Sequence, residues 1–178
     1  MRKQRFYFCP KCGGAVQYRL ISERERLVCR DCAYIIYENP IVGVAAIIRK
    51  NQEILLGRRA PNTSYAGLWC IPCGYVEYDE DIRDAVKREL LEETGLIIEP
   101  GRVYTVLSNF HNPSVHTVGV WFMAELAGGT LCPGDDLDQV AYFSLDSIPE
   151  LAFPTDVQVI NMLRSETITS RREAKTDE

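Results

Sequence analysis

Hydrophobic and polar positions divide the chain into a short head, broken up by Gly and Cys, and a longer body. In the head, residues 14–21 and 26–28 read as two short strands. Glu38-Asn39-Pro40 marks a hinge, because Pro40 biases Asn39 toward extended backbone and Asn favours turns. The body opens with β-rich runs at 41–48, 53–59 and 68–71, with Asn51-Gln52 as the turn between the first two. From Asp79-Glu80 the period changes. Ile82, Ala85, Val86, Leu90 and Leu91 recur at helical spacing, and Gly95 ends the helix. Strand-like runs follow at 103–110, 117–126 and 139–144. Thr155 with Gln158 three residues later is a capping-box pattern, predicting a second helix to about Arg164. Residues 167–178 are polar and read as a flexible tail. There is no internal repeat. The predicted organisation is a module at 1–37, a domain at 38–166 and the tail.

Composition narrows this picture. The chain has 178 residues, 46% hydrophobic and 25% charged, which is too apolar for a disordered chain. No apolar run approaches a membrane span of about 18 residues. The charged N-terminus is followed by Cys and Gly rather than an apolar core, so no signal peptide is expected and the cytoplasm is the expected compartment. The net charge of −5 argues against non-specific nucleic-acid binding by the whole chain. It is unevenly spread: residues 1–37 carry eight basic and three acidic side chains, a basic head on an acidic body.

Four of the seven cysteines lie in that head. Cys9-Pro-Lys-Cys12 and Cys29-Arg-Asp-Cys32 are two CxxC pairs at zinc-ribbon spacing. Four thiolates close a tetrahedral zinc site and leave no open position, so the expected role is structural. Disulfides are the alternative, disfavoured by a reducing compartment. About 35 residues bury too little core to fold without such a staple. Gly13 and Gly14 suit the first knuckle, and Ala33 stands where a glycine would fit the second better.

Glu89, Glu92 and Glu93 crowd one face of the first helix at i, i+3 and i+4, where like charges repel. A hard divalent cation such as Mg²⁺, shared with substrate phosphates, would reverse the sign of that interaction. A solvated acidic face beside Lys87 and Arg88 is the plainer reading.

The spacing Gly74, Glu80, Arg88-Glu89-Leu90, Glu92-Glu93, Gly95-Leu96 resembles a complete Nudix box, preceded by a similar lead-in of Leu68-Trp69, Pro72, Gly74 and Val76-Glu77. Together with the head, nearly the whole chain resembles Nudix hydrolases that carry an N-terminal zinc ribbon, the NADH, FAD and ADP-ribose pyrophosphatase subgroup. The resemblance implies an α/β/α sandwich with a mixed sheet behind a small zinc ribbon. It implies hydrolysis of a nucleoside diphosphate linked to another moiety, giving NMP and a phosphorylated product. Glu89, Glu92 and Glu93 would hold Mg²⁺ or Mn²⁺, with the backbone near Cys73-Gly74 as a further ligand. Glu80 and Arg88 would pair to brace the loop against the helix. The expected partner is a nucleotide-derived small molecule, without membrane or nucleic acid, and a homodimer is common in such proteins.

Other residues are assigned on weaker grounds. Asp138, from the group Asp135, Asp136 and Asp138, is the chosen base or extra metal ligand. Arg58 and Arg59 are candidates for phosphate contact. His111 and His116, flanking a short loop, are candidates for substrate contact, with a structural role as the plainer reading. Cys70 and Cys73 form a third CxxC, but strand alternation and the rigid Pro72 do not suit a zinc knuckle. Cys132, Phe110, Trp121 and Tyr142 read as packing residues. Two other functions stay open: a pyrophosphohydrolase of oxidised nucleoside triphosphates, and a ligand-sensing module that binds nucleic acid or protein.

Overall fold

The computed structural model describes residues 4–113 and 115–176, with side chains as far as 167. The chain divides into two compact units at Pro40. The first is a three-stranded antiparallel sheet of β1 (Val16–Ile21), β2 (Arg24–Cys29) and β3 (Ile35–Ile36). Its small core is Cys9, Val16, Leu27, Cys29 and Ile36. That is little apolar area for an independent fold, so a staple is still required.

The second unit begins with β4 (Ile41–Lys50) and β5 (Glu53–Arg59), followed by the short β6 (Trp69–Cys70) and β7 (Cys73–Tyr75). Helix α1 (Ile82–Thr94) follows, then the long β8 (Leu96–Asn109) and β9 (Thr117–Gly129), β10 (Leu137–Ser144) and helix α2 (Pro154–Thr176). The sheet order is β10-β5-β4-β9-β8, with β6 on β5 and β7 on β4. Only β4 and β9 run parallel, so the sheet is mixed.

Every residue of β4 from Val44 to Ile48 is buried, and alternation sends them to opposite faces. Val44, Ala46 and Ile48 join Val120 and Phe122 of β9 against Ala85, Val86 and Leu90 of α1. Ala45 and Ile47 join Trp121 against Val159, Ile160 and Leu163 of α2. The two helices therefore cover opposite faces, which makes an α/β/α sandwich.

Several element ends differ from the sequence reading. Helix α1 starts at Ile82, because Asp81 is its N-cap and accepts from the Arg83 amide at 2.8 Å. Strand β8 starts directly after α1, and Pro100-Gly101, which reads as a break, is a bulge within it. Helix α2 starts at Pro154, where proline's missing N–H costs nothing. Thr155 and Asp156 thus lie buried inside its first turn, and the capping box does not form. The helix also continues to Thr176, well past Arg164. Phe110 and Cys132 are exposed rather than packed, whereas Trp121 is buried and Tyr142 packs against the core.

Candidate active site

Arg88 organises the exposed side of α1. Its Nε and Nη2 donate to the two carboxylate oxygens of Glu80 at 2.8 Å each. Its Nη1 donates to Glu89 at 2.8 Å and to Glu92 at 3.0 Å, and its Nη2 also reaches the Tyr75 carbonyl at 3.1 Å. The planar fork thus ties the loop of residues 75–80 to the helix, a geometry that lysine cannot reproduce. The two-pronged contact with Arg88 holds the Glu80 carboxyl below its usual range.

Opposite α1, strand β7 comes very close. A Cβ at Gly74 would lie 1.9 Å from Cδ of Glu89, so glycine is required here for approach rather than for its dihedral angles. The Cys73 amide donates to Glu93 Oε2 at 2.8 Å. Glu93 is buried, and burial pushes its carboxyl well above the ordinary range, with Asp136 beside it adding to the effect. Burial also raises Glu89 against the opposing pull of Arg88.

The loop before β10 is fixed by the end of α1. Gly95 takes the left-handed conformation with φ 69°, and its amide caps the Leu91 carbonyl at 2.9 Å. The Cys132 and Gly134 amides then donate to the Thr94 and Glu93 carbonyls at 2.9 and 3.0 Å, satisfying two more orphans of the last turn. Asp135 and Asp136 are thereby delivered next to the helix. Asp136 pairs with Arg59 at 2.6 Å through Oδ2, while its Oδ1 is buried with no donor. Two neighbouring buried carboxylates of this kind are held together by a shared proton or by a cation.

These groups line one cavity of about 450 Å³. Glu89, Glu93, Gly74, Arg59 and His111 reach it, as do Asp135 and Asp136. Glu92 does not; its side chain is 48% exposed and bonded to Arg88. Asp138 and Arg58 do not reach it either. They form a two-pronged ion pair with each other at 2.7 and 3.0 Å. The pairing of β10 with β5 slips between Leu137 and Gln139, which takes Asp138 out of the ladder. The acids facing the cavity are its two predecessors. His116 is also outside the lining; its ring packs on Phe110 at 5.0 Å and its carbonyl accepts from the Ile41 amide. The sequence reading did not single out Tyr65 and Phe153, which also line the cavity. Tyr65 carries no signal in a motif, and its placement depends on the fold of its loop.

The carboxylates suit a hard cation shared with a ligand: the side chains converge, one buried oxygen lacks a donor, and Gly74 makes room for a carboxylate. They are not drawn into a closed set. Among the described residues, the one group of three or more ligand-type side chains within 4.8 Å of one another is Cys9, Cys12, Cys29 and Cys32. Their sulfurs approach to 3.4, 3.5 and 3.7 Å, close to the edge of about 3.8 Å of a tetrahedron with metal–sulfur bonds of about 2.3 Å. The Cys32 and Asp31 amides donate to Cys29 Sγ and draw its thiol down to about 7, favouring thiolate. Gly13 and Ala33 both take positive φ, 77° and 57°, in equivalent places after the two knuckles.

A sandwich with these carboxylates on one helix and a four-cysteine module ahead of it defines a class. Residues 39–163 match the NUDIX domain model, and residues 7–38 match the model for the Nudix N-terminal zinc ribbon. The chain belongs to the Nudix family and is a Nudix hydrolase. It is 36% identical over 132 residues to the ADP-ribose pyrophosphatase of Methanocaldococcus jannaschii, covering 74% of this chain and 78% of that protein. It is 29% identical over 150 residues to the NAD-capped RNA hydrolase NudC of Vibrio cholerae, covering 84% of this chain and 53% of that protein, about half its length. A Nudix hydrolase structure from Nitrosomonas europaea superposes with a TM-score of 0.74 at 32% identity, covering 85% of this chain and 86% of that one. An ADP-ribose pyrophosphatase structure from Streptococcus suis gives 0.61 at 30% identity, covering 72% of this chain and 92% of that one.

Proposed function

We propose that the protein hydrolyses the pyrophosphate bond of a nucleoside diphosphate linked to another moiety, with ADP-ribose, FAD and NADH as the candidate substrates. Water enters at one phosphorus, and the products are NMP and the phosphorylated second moiety. The observation that carries this reading is the convergence of Glu89, Glu93 and Asp136 on one cavity, with an undonated buried oxygen among them. Similarity to an ADP-ribose pyrophosphatase over most of both chains supports it.

Glu89 and Glu93, with the backbone at Gly74, would hold Mg²⁺ or Mn²⁺, and Glu92 would join them by leaving Arg88. The metal would supply charge neutralisation on the diphosphate and a lower pKa for bound water. The chain's own residues do the positioning. The Cys73 amide fixes Glu93, and Arg88 holds Glu80, Glu89 and Glu92 in order. Arg59 anchors Asp136 and brings positive charge to the wall where the diphosphate lies. Cys9, Cys12, Cys29 and Cys32 would bind one structural Zn²⁺. A cytoplasmic setting and a homodimer complete the proposal. Among the described residues, no helix is long and apolar enough to cross a membrane.

Glu92→Gln and Glu93→Gln test the assignment. Each is expected to lower kcat about a hundredfold or more at saturating Mg²⁺ while the fold is retained. Unchanged turnover in either variant removes that residue from the metal site.

A further inference from the structure

Beyond the carboxylates the cavity has a second chemistry. Three rings from three separate segments meet at its wall: Tyr65 from the loop between β5 and β6, His111 after β8, and Phe153 just ahead of α2. Tyr65 stands edge-on to both of the others, with centroids 5.7 Å from His111 at 69° and 5.5 Å from Phe153 at 77°. His111 and Phe153 face one another more nearly parallel, 34° apart with centroids at 6.0 Å. Tyr65 is 42% exposed and His111 is exposed, so these rings are not core.

The backbone is built to hold Tyr65 there. It has φ 61°, a left-handed conformation that a bulky residue adopts only when its surroundings impose it. Here Arg59 imposes it. The Arg59 Nε donates to the Ser64 carbonyl at 2.6 Å, its own carbonyl accepts from Gly67 at 2.8 Å, and its amide donates to Leu68 at 2.9 Å. The same Arg59 holds Asp136 at 2.6 Å and lies 5.6 Å over the Phe153 ring. One arginine therefore joins the acidic end of the cavity to its aromatic end. His111 is held from the other side by the Asn109 carboxamide, which accepts from its amide at 3.2 Å and contacts its Nδ1.

We infer that Tyr65, His111 and Phe153 form a stacking subsite for a flat heteroaromatic base, so that the diphosphate cleaved at the carboxylates must carry a nucleobase at the Arg59 end. Offset and edge-on contacts of this kind are worth more than the area they cover and accept any flat ring, whereas a sugar or alkyl group gains little from them. A ring stacked on both Phe153 and His111 needs about 7–8 Å between their planes, so His111 on its exposed loop swings outward by 1–2 Å as the base enters. This subsite rests on the proposed diphosphate reading for its second half, the cleavage, but not for base binding itself.

The test therefore has two arms. The first is equilibrium binding of fluorescent 1,N6-etheno-ADP-ribose to the full chain without divalent metal, where no turnover occurs. Phe153→Leu and Tyr65→Leu are expected to raise Kd about tenfold, Tyr65→Phe to restore it, and Tyr18→Leu, an exposed aromatic of the N-terminal unit, to leave it unchanged. The second arm is kcat/KM with Mg²⁺ on ADP-ribose and on its analogue with hydrogen in place of adenine. The Leu variants are expected to lose about tenfold through KM on ADP-ribose and less than twofold on the base-free analogue. Binding that is the same in all variants overturns the subsite, as does an equal loss on both substrates. Normal base binding without hydrolysis of either substrate overturns the diphosphate reading and leaves the subsite standing.

Discussion

A methyl group at position 74 would stand 1.9 Å from Cδ of Glu89, too close for either to stay in place. Gly74→Ala is therefore expected to push the carboxylate away and lower kcat about a hundredfold, with melting temperature changed far less, because the collision is local and faces the cavity. Steady-state kinetics beside a thermal melt checks this. Asp156 gives a pH signature. Burial raises its carboxyl to about 7, against the opposing donation of the Ile71 amide at 3.0 Å. Its unfolded value is near 4, so between about pH 4 and 7 the folded chain binds more protons, and stability falls as pH rises. Asp156→Asn removes that slope. Its melting temperature should match the wild type below about pH 4 and exceed it by several degrees at pH 8; a difference independent of pH would show that the charge is not the cause. At this scale the box residues were legible because their spacing is a motif. Asp138 misled because a one-residue slip in a strand pairing leaves no trace in sequence, and Tyr65 and Phe153 were invisible because three distant segments bring them together.

Elements were legible where periodicity was strong. Runs of β-branched residues marked β4 and β5, and helical spacing marked α1. The errors fall where a local signal was overruled. Pro100-Gly101 reads as a break, yet Arg83 donates to both of their carbonyls at 2.9 and 2.8 Å and keeps the bulge within β8. Thr155 with Gln158 reads as a cap, yet Pro154 already serves as the first helical residue and draws Thr155 inside. The C-terminal end of α1 carries the site's loop. At Gly95 a Cβ would meet the Thr130 carbonyl at 2.5 Å, and φ is 69°. Gly95→Ala is expected to destabilise the domain by about 1–3 kcal/mol and to lower activity as well, since Asp135 and Asp136 depend on that loop. Urea unfolding followed in parallel with activity separates the two effects.

The whole molecule is two units with different means of stability. The sandwich buries helix faces on both sides of one sheet, whereas the N-terminal sheet has five core residues and four converging sulfurs. Elemental analysis is expected to give one zinc per chain, and Cys29→Ser is expected to lose that metal and the amide protection of residues 7–38 while protection of the sandwich persists. Full zinc content in that variant would contradict a four-thiolate site. The central claim is the bond that is broken. Full-length protein incubated with ADP-ribose, FAD, NADH, diadenosine polyphosphates and nucleoside triphosphates, with and without Mg²⁺, gives products that chromatography separates. The expected result is Mg²⁺-dependent release of a nucleoside monophosphate with the phosphorylated partner moiety, such as AMP with ribose 5-phosphate. Inorganic pyrophosphate from triphosphates alone, or no Mg²⁺-dependent product from any of these compounds, would contradict it.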